Sequence, residues 1–457
     1  MVEQRQGGSL RDIAPSPVRT PVRTDPGKCV VSVDTASRAD RAEELRNALV
    51  DTIITDHRGK GLAMPAEVEA AMRTVPREVF TPGVTLEEAY ENTAVITARR
   101  GEEAVSSVSA PYLIAEMLGQ AVEALGGLEG RAVLEVGSGG YNASLLRELV
   151  GPSGSVTTVD IDPEVTDRAA SCLERAGYND VTVVCADAEH PVEPARRYDL
   201  ITVTAGAWDI PPAWREQLAE DGVLVVPLRT WGLTRSWALR RSGDRLTSLS
   251  HRQCGFVSMR GDGGRSLRYV DVAEGVHLRL DEDTLAAPDA LARTVGDLLS
   301  QPREVAWAGV SLPPRTMLSN LDLWLATRFA GEAGEFMVLT AQEEAVESGI
   351  VAPSWRFGAP AALVEGTFSY RSALKWTDRR FDLGATAHGP AAAAAAERIV
   401  EHMRAWLNAA SPIPALEVLP ARTPDGDLPD GTVLDKRHSR IVLSFPTVIS
   451  QPEGTNS

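Results

Sequence analysis

The stretch Val133–Leu146, VLEVGSGGYNASLL, constrains this chain more than any other. An apolar, β-branched run ends in Glu135, Gly137, Gly139 and Gly140 follow within four positions, and a helical segment begins at once. A strand, a glycine turn and a helix start in that order let a sheet bring its backbone close to a nucleotide or an adenosyl group. The spacing is not the dinucleotide pattern G-x-G-x-x-G, because after Gly137 and Gly139 the third required position falls on Asn142. By itself the turn also fits a plain bend between a core strand and a helix, so the flanking units must decide.

They do so by repeating the pattern. Val156–Val159 reads as a second strand ending in Asp160, Val181–Cys185 as a third closed by Asp187, Tyr198–Val203 as a fourth, and the segment Leu218–Leu228 carries a turn and a fifth. Helical segments separate the early strands, the one after Asp160 opening on Pro163. Strands alternating with helices predict a parallel sheet covered on both faces. Ligands in such sheets bind beyond the carboxyl ends of the strands, where Glu135, Asp160 and Asp187 fall in consecutive units. A carboxylate ending the second strand suits a ribose diol, which offers it two O–H donors, and one ending the third suits an exocyclic adenine amine.

Upstream, residues 1–38 are rich in Arg, Pro, Ser and Thr without an apolar period and are expected to be a disordered arm. Two helices follow, with Leu45, Leu49 and Ile53 on one face of the first, then a loop-rich cap over 76–108 with short extended pieces. Ser109-Ala110-Pro111 opens another helix, where a serine two residues before proline has an N-cap as its plain role. The net charge of −17 argues against nucleic acid or an anionic membrane as partner. The four cysteines lie far apart, which predicts neither a metal site nor a disulfide framework and suits a reducing cytoplasm. No run approaches the ~20 apolar residues of a membrane span.

These residues resemble the protein-L-isoaspartate O-methyltransferases. The matching pieces are VPREVF at 75–80, Tyr90, VSAP at 108–111, VLEVGSGGY at 133–141, VTTVD at 156–160, Asp187, the run from Tyr198 to Leu228, and CGFVSMRG at 254–261, which resembles the family's closing strand. The resemblance implies a Rossmann-like class I fold that uses S-adenosylmethionine. It implies that Ser109 sits at the active site, that Glu135, Gly137, Ser138 and Gly139 face the methionine and ribose, that Asp160 holds the ribose hydroxyls, that Asp187 reads adenine, and that Thr204 borders the transferred methyl. The glycine turn is one residue shorter than is usual in the family, which brings Tyr141 toward the cofactor, and the approach GEEAVSSVSAP is more acidic.

Beyond residue 270 the pattern turns to α+β. Helices are expected over 281–300, 321–329 and 391–407, the last including the Ala391–Ala396 run, and strands at FMVLT, AALVEGTFSY and IVLSFP. The expected organisation is therefore an arm over 1–38, a methyltransferase domain over 39–265 and a C-terminal α+β domain over 270–450 that recognises substrate. Ile399, Met403 and Trp406 share one helix face, Trp355, Trp376 and Trp406 read as core before peptide surface, and His438 in DKRHSR as structural or solvated before a carboxylate ligand. This tail resembles the methyltransferases found with lanthipeptide gene clusters (the FxLD system), which share the short GSGGYNA turn. That resemblance implies methylation of an aspartate in a modified precursor peptide, leading through succinimide to isoaspartate. Repair of isoaspartyl residues in damaged proteins and an inactive adenosyl-binding scaffold are the alternatives.

Overall fold

A computed structural model describes residues 35–446 apart from 102, 138, 282–286, 315 and 332–334. The arm expected over 1–38 lies outside these residues up to 34, and Thr35 already belongs to the first helix, Thr35–Gly59. Leu49 and Ile53 on that helix are buried. The cap region is more ordered than its composition suggests. After two one-turn helices it forms a hairpin of strands β1 (Val95–Arg100) and β2 (Glu103–Val108).

The chain then lays down β3 (Ala132–Val136), β4 (Ser155–Asp160), β5 (Thr182–Cys185), β6 (Tyr198–Val203) and β7 (Leu218–Thr230). They pair in parallel in the order β5-β4-β3-β6-β7. The chain starts in the middle at β3, winds outward to β5 and crosses back to β6, so the topological switch lies between β3 and β6. The helix Pro163–Ala176 after β4 shows how local chemistry sets these units. Asp162 caps it, its Oδ1 accepting the Glu164 N–H at 3.1 Å, and Pro163 occupies the first turn. Two antiparallel strands, β8 (Leu233–Ser242) and β9 (Arg245–Gln253), extend the sheet.

The next nine strands are β10 (Arg268–Ala273), β11 (Val276–Leu280), β12 (Arg303–Trp307), β13 (Glu335–Ala341), β14 (Ala359–Val364), β15 (Thr367–Arg371), β16 (Lys375–Thr377), β17 (Arg380–Asp382) and β18 (Gly384–His388). Seven of them make a second, antiparallel sheet in the order β10-β11-β13-β14-β15-β18-β12, and β16 and β17 form a small hairpin. The helix Ala392–Asn408 packs on this sheet with Ile399, Met403 and Trp406 buried, whereas Trp376 is 46% exposed. The helix expected over 281–300 runs from Pro288 to Leu299 among the described residues.

One expectation needs correction. Residues 270–450 do not form one separate unit, because the last strands, β19 (Ala415–Pro420), β20 (Thr432–Asp435) and β21 (Ser439–Ser444), return to the first sheet. β19 pairs with β9 through Glu417 opposite Thr247 and Val418 opposite Leu246. The physical reason is the open edge of β9, whose unpaired backbone groups need partners. The two sheets also share one apolar core, which takes in Leu134, Val203 and Trp237 of the first sheet together with Trp324, Phe329, Met403 and Trp406. Buried polar contacts cross the same boundary. Arg229 Nε lies 2.5 Å from Asp281 Oδ1, the Gly232 N–H donates to Asp281 Oδ2 at 2.6 Å, and Arg235 donates to the Ser319 carbonyl at 2.9 Å.

Candidate active site

A cleft opens beyond the carboxyl ends of β3, β4, β5 and β6. Its floor is the glycine turn. Gly137 has φ +99, and a Cβ there would lie 2.6 Å from Thr204 Oγ1, so the position excludes a side chain on conformation and on space alike. Thr204 ties the ends of β6 and β3 together, its hydroxyl donating to the Gly137 carbonyl at 2.7 Å and its N–H to Val136 at 2.8 Å. Gly139 also lines the cleft, against the end of β2 at Ser107 and Val108.

The strand-end carboxylates divide. Asp160 and Asp187 both line the cleft. Asp160 Oδ1 accepts the Asp162 N–H at 2.9 Å, and the Arg260 guanidinium lies 3.7 Å from it. Arg260 also pairs with Asp162 at 3.1 Å. Burial works to raise the Asp162 carboxyl, but Arg260, the Glu164 amide and Arg100 outweigh it and hold the group below its ordinary value. Asp187 is fixed at both oxygens, Oδ1 by the Glu189 N–H and Oδ2 by the Asp262 N–H, each at 2.9 Å.

Glu135, the first of the three acids, is not on the cleft wall. It is 0% exposed, with Oε1 accepting from Asn142 Nδ2 at 2.8 Å and Oε2 from Thr158 Oγ1 at 2.5 Å. Neighbouring side chains on a strand point to opposite faces, and here Val136 lines the cleft. Burial pushes the Glu135 carboxyl up to about 7, against the two hydrogen bonds that favour its ionised form. Tyr141 also differs from expectation. The shortened turn does not bring it to the cofactor side; it lies in the core, 5.9 Å from the Phe80 ring centroid and 5.0 Å from the Arg77 guanidinium. Ser138 falls outside the described residues.

Ser109 is half-buried and lies outside the cleft lining, directly before the helix Pro111–Leu125. Its plain role as N-cap does not hold, because Ala110 occupies that position without a side-chain cap bond. The cleft is walled instead by Val105, Ser106 and Ser107 of β2. Arg168, from the helix after β4, holds that wall by donating to Thr97 Oγ1 and Ser106 Oγ, each at 3.0 Å. Opposite stand Val257, Ser258, Met259 and Arg260. CGFVSMRG, expected as a closing strand, is an irregular segment after β9 held by a bridge between Ser258 and Gly206. Ser106, Ser107, Arg168 and Arg260 were not singled out by sequence reasoning, because their roles depend on which loops fold over the strand ends. Among the described residues no cluster of His, Cys, Asp and Glu could hold a metal ion, and no helix is long and apolar enough to cross a membrane.

The donor set fits an adenosyl group: two spaced carboxylates for a diol and an amine, and a bare backbone turn on the cleft floor. Comparison with known proteins agrees with this chemistry. Residues 47–262 match the family model described as Protein-L-isoaspartate(D-aspartate) O-methyltransferase (PCMT). The protein-L-isoaspartate O-methyltransferase of Ignicoccus hospitalis is 40% identical over 187 residues, 41% of this chain and 82% of the relative. That of Methanococcoides burtonii is 37% identical over 195 residues, 42% of this chain and 92% of the relative. Among solved structures, a protein-L-isoaspartate O-methyltransferase aligns with TM-score 0.42 at 21% identity, covering 80% of this chain and 96% of its own. The chain belongs to the protein-L-isoaspartate(D-aspartate) O-methyltransferase family, S-adenosylmethionine-dependent enzymes that methylate protein carboxylates.

Proposed function

We propose that the chain methylates an aspartate side chain in a ribosomally made lanthipeptide precursor, and that the ester closes to a succinimide that opens to isoaspartate. The observation that carries this reading is the extent of the chain beyond residue 262, where the family match ends. That extra length builds a second sheet on the same apolar core as the first. In this reading the added body beside the methyltransferase sheet is the surface that holds the peptide substrate.

S-adenosylmethionine supplies a methyl group on a sulfonium leaving group, and an ionised carboxylate needs no general base to accept it. The protein's own work is alignment and exclusion of water. In this reading Asp160 accepts from the ribose hydroxyls, Asp187 accepts from the adenine amine, and the Gly137 turn with Thr204 lets the methionine end approach the backbone. Ser106 and Ser107, held by Arg168, close the side of the cleft. Ser109 orients the acceptor carboxylate as a hydrogen-bond donor. Once esterified, the aspartyl carbonyl is attacked by the amide nitrogen of the next residue, methanol leaves, and water can open the ring.

The second reading, repair of isoaspartyl residues, is favoured by the identity to relatives named for that substrate. Intact-mass analysis separates the two. The chain is incubated with S-adenosylmethionine and either a cyclised precursor or a generic isoaspartyl peptide. Gain of a methyl group, or net loss of water, on the precursor alone supports the proposal, and methylation of the isoaspartyl peptide alone overturns it in favour of repair. No change on either, with cofactor bound, points to a scaffold.

A further inference from the structure

The turn between β20 and β21, Lys436–His438, is seated against Trp208 and Asp209, more than two hundred residues away from it in sequence. Its anchoring is strong. Lys436 is buried and donates Nζ to the Trp208 and Arg229 carbonyls at 2.6 and 2.7 Å, and the ammonium lies 4.7 Å from the Trp208 ring centroid. The Asp209 carboxylate accepts from the His438 N–H at 2.6 Å and from the Ser439 hydroxyl. Arg215 donates to the His438 carbonyl at 3.1 Å.

From this seat two adjacent side chains reach the loops around Asp187. His438 Nε2 lies 2.9 Å from Glu189 Oε1, and Arg437 donates to the Asp262 carbonyl at 3.2 Å. Glu189 and Asp262 are the two residues whose backbone N–H groups fix the Asp187 carboxylate. The packing there is close: a Cβ on Gly263 would lie 2.3 Å from Glu189 Oε2. Both supports of Asp187 are thus gripped by one turn of the C-terminal hairpin.

We infer that Arg437 and His438 are positioning residues for the cofactor, acting through Asp262 and Glu189 to set the Asp187 carboxylate at the adenine end of the cleft. The inference rests on the reading of the cleft as the S-adenosylmethionine site. It assigns the returning strands a role in cofactor affinity, in addition to covering the β9 edge.

The test uses the full chain and titrates S-adenosylhomocysteine by calorimetry. His438→Ala, and Arg437→Ala with His438→Ala, should raise its Kd about tenfold. At saturating cofactor, peptide KM should stay near the wild-type value. His438→Gln, which keeps a polar side chain facing Glu189, should restore Kd to within about twofold. Arg440→Ala, on the adjoining strand β21 but paired with Asp425 and Asp435, should leave Kd unchanged. Thermal unfolding checks that each variant is folded. Should His438→Ala fail that check, the exposed Arg437→Ala alone decides, with an expected rise of severalfold. Folded variants that bind as tightly as wild type would overturn the inference. If the wild-type chain itself does not bind S-adenosylhomocysteine, the cofactor reading falls and takes the inference with it.

Discussion

Glu135→Gln isolates the energetic cost of a buried carboxyl. Burial holds the Glu135 pKa at about 7 against an ordinary 4.5. The folded state therefore keeps a proton that the unfolded chain has already released, and stability falls as pH rises through the window from 4.5 to 7. A difference of this size amounts to about 3 kcal/mol, most of which falls between pH 5 and pH 8. Glutamine fits the same site without titrating: its carbonyl accepts from Asn142, and its amide donates to the Thr158 hydroxyl, which can reverse its role. With unfolding entropy near 2.1 cal/mol/K per residue over about 400 residues, the variant should gain ~3 °C in Tm relative to wild type on going from pH 5 to pH 8. Differential scanning calorimetry at the two pH values measures it. Parallel pH profiles for the two proteins, or a variant that loses ground at pH 8, would refute the argument that this acid is a buried, costly charge.

Gly137→Ala combines a left-handed backbone with a 2.6 Å approach to Thr204 Oγ1 and should cost about 1–3 kcal/mol together with most cofactor affinity, read by denaturant titration and calorimetry. Asp160→Ala should weaken S-adenosylmethionine binding at least tenfold, whereas Ser109→Ala should lower kcat with cofactor Kd near wild type. Equal activity for wild type and Ser109→Ala would remove Ser109 from the mechanism. Asp281→Ala strands the buried Arg229 guanidinium and the Gly232 N–H where the two sheets meet, and should cost about 3–5 kcal/mol in urea unfolding.

The parallel half of the fold was legible because each unit carries its own local signals: an apolar run, a strand-end acid or glycine turn, a capped helix. Asp160 and Asp187 could be placed on the cleft for the same reason, since strand ends follow from hydrophobic pattern and the binding crevice follows from strand ends. Glu135 and Tyr141 escaped because motif position does not state which face a side chain takes. A single step of strand alternation turns Glu135 under the turn, and the start of the next helix packs Tyr141 onto Phe80 and Arg77.

The sequence by itself determined the sheet type, the glycine turn and two of the three candidate carboxylates, all of which depend on interactions within some thirty residues. Only the tertiary structure decided that Ser106, Ser107 and Arg260 wall the cleft, that the C-terminal strands rejoin the first sheet, and that Arg437 and His438 stand behind Asp187. Those outcomes hang on an open strand edge and on buried polar groups seeking partners across hundreds of residues, and such pairings leave no periodic mark in the chain.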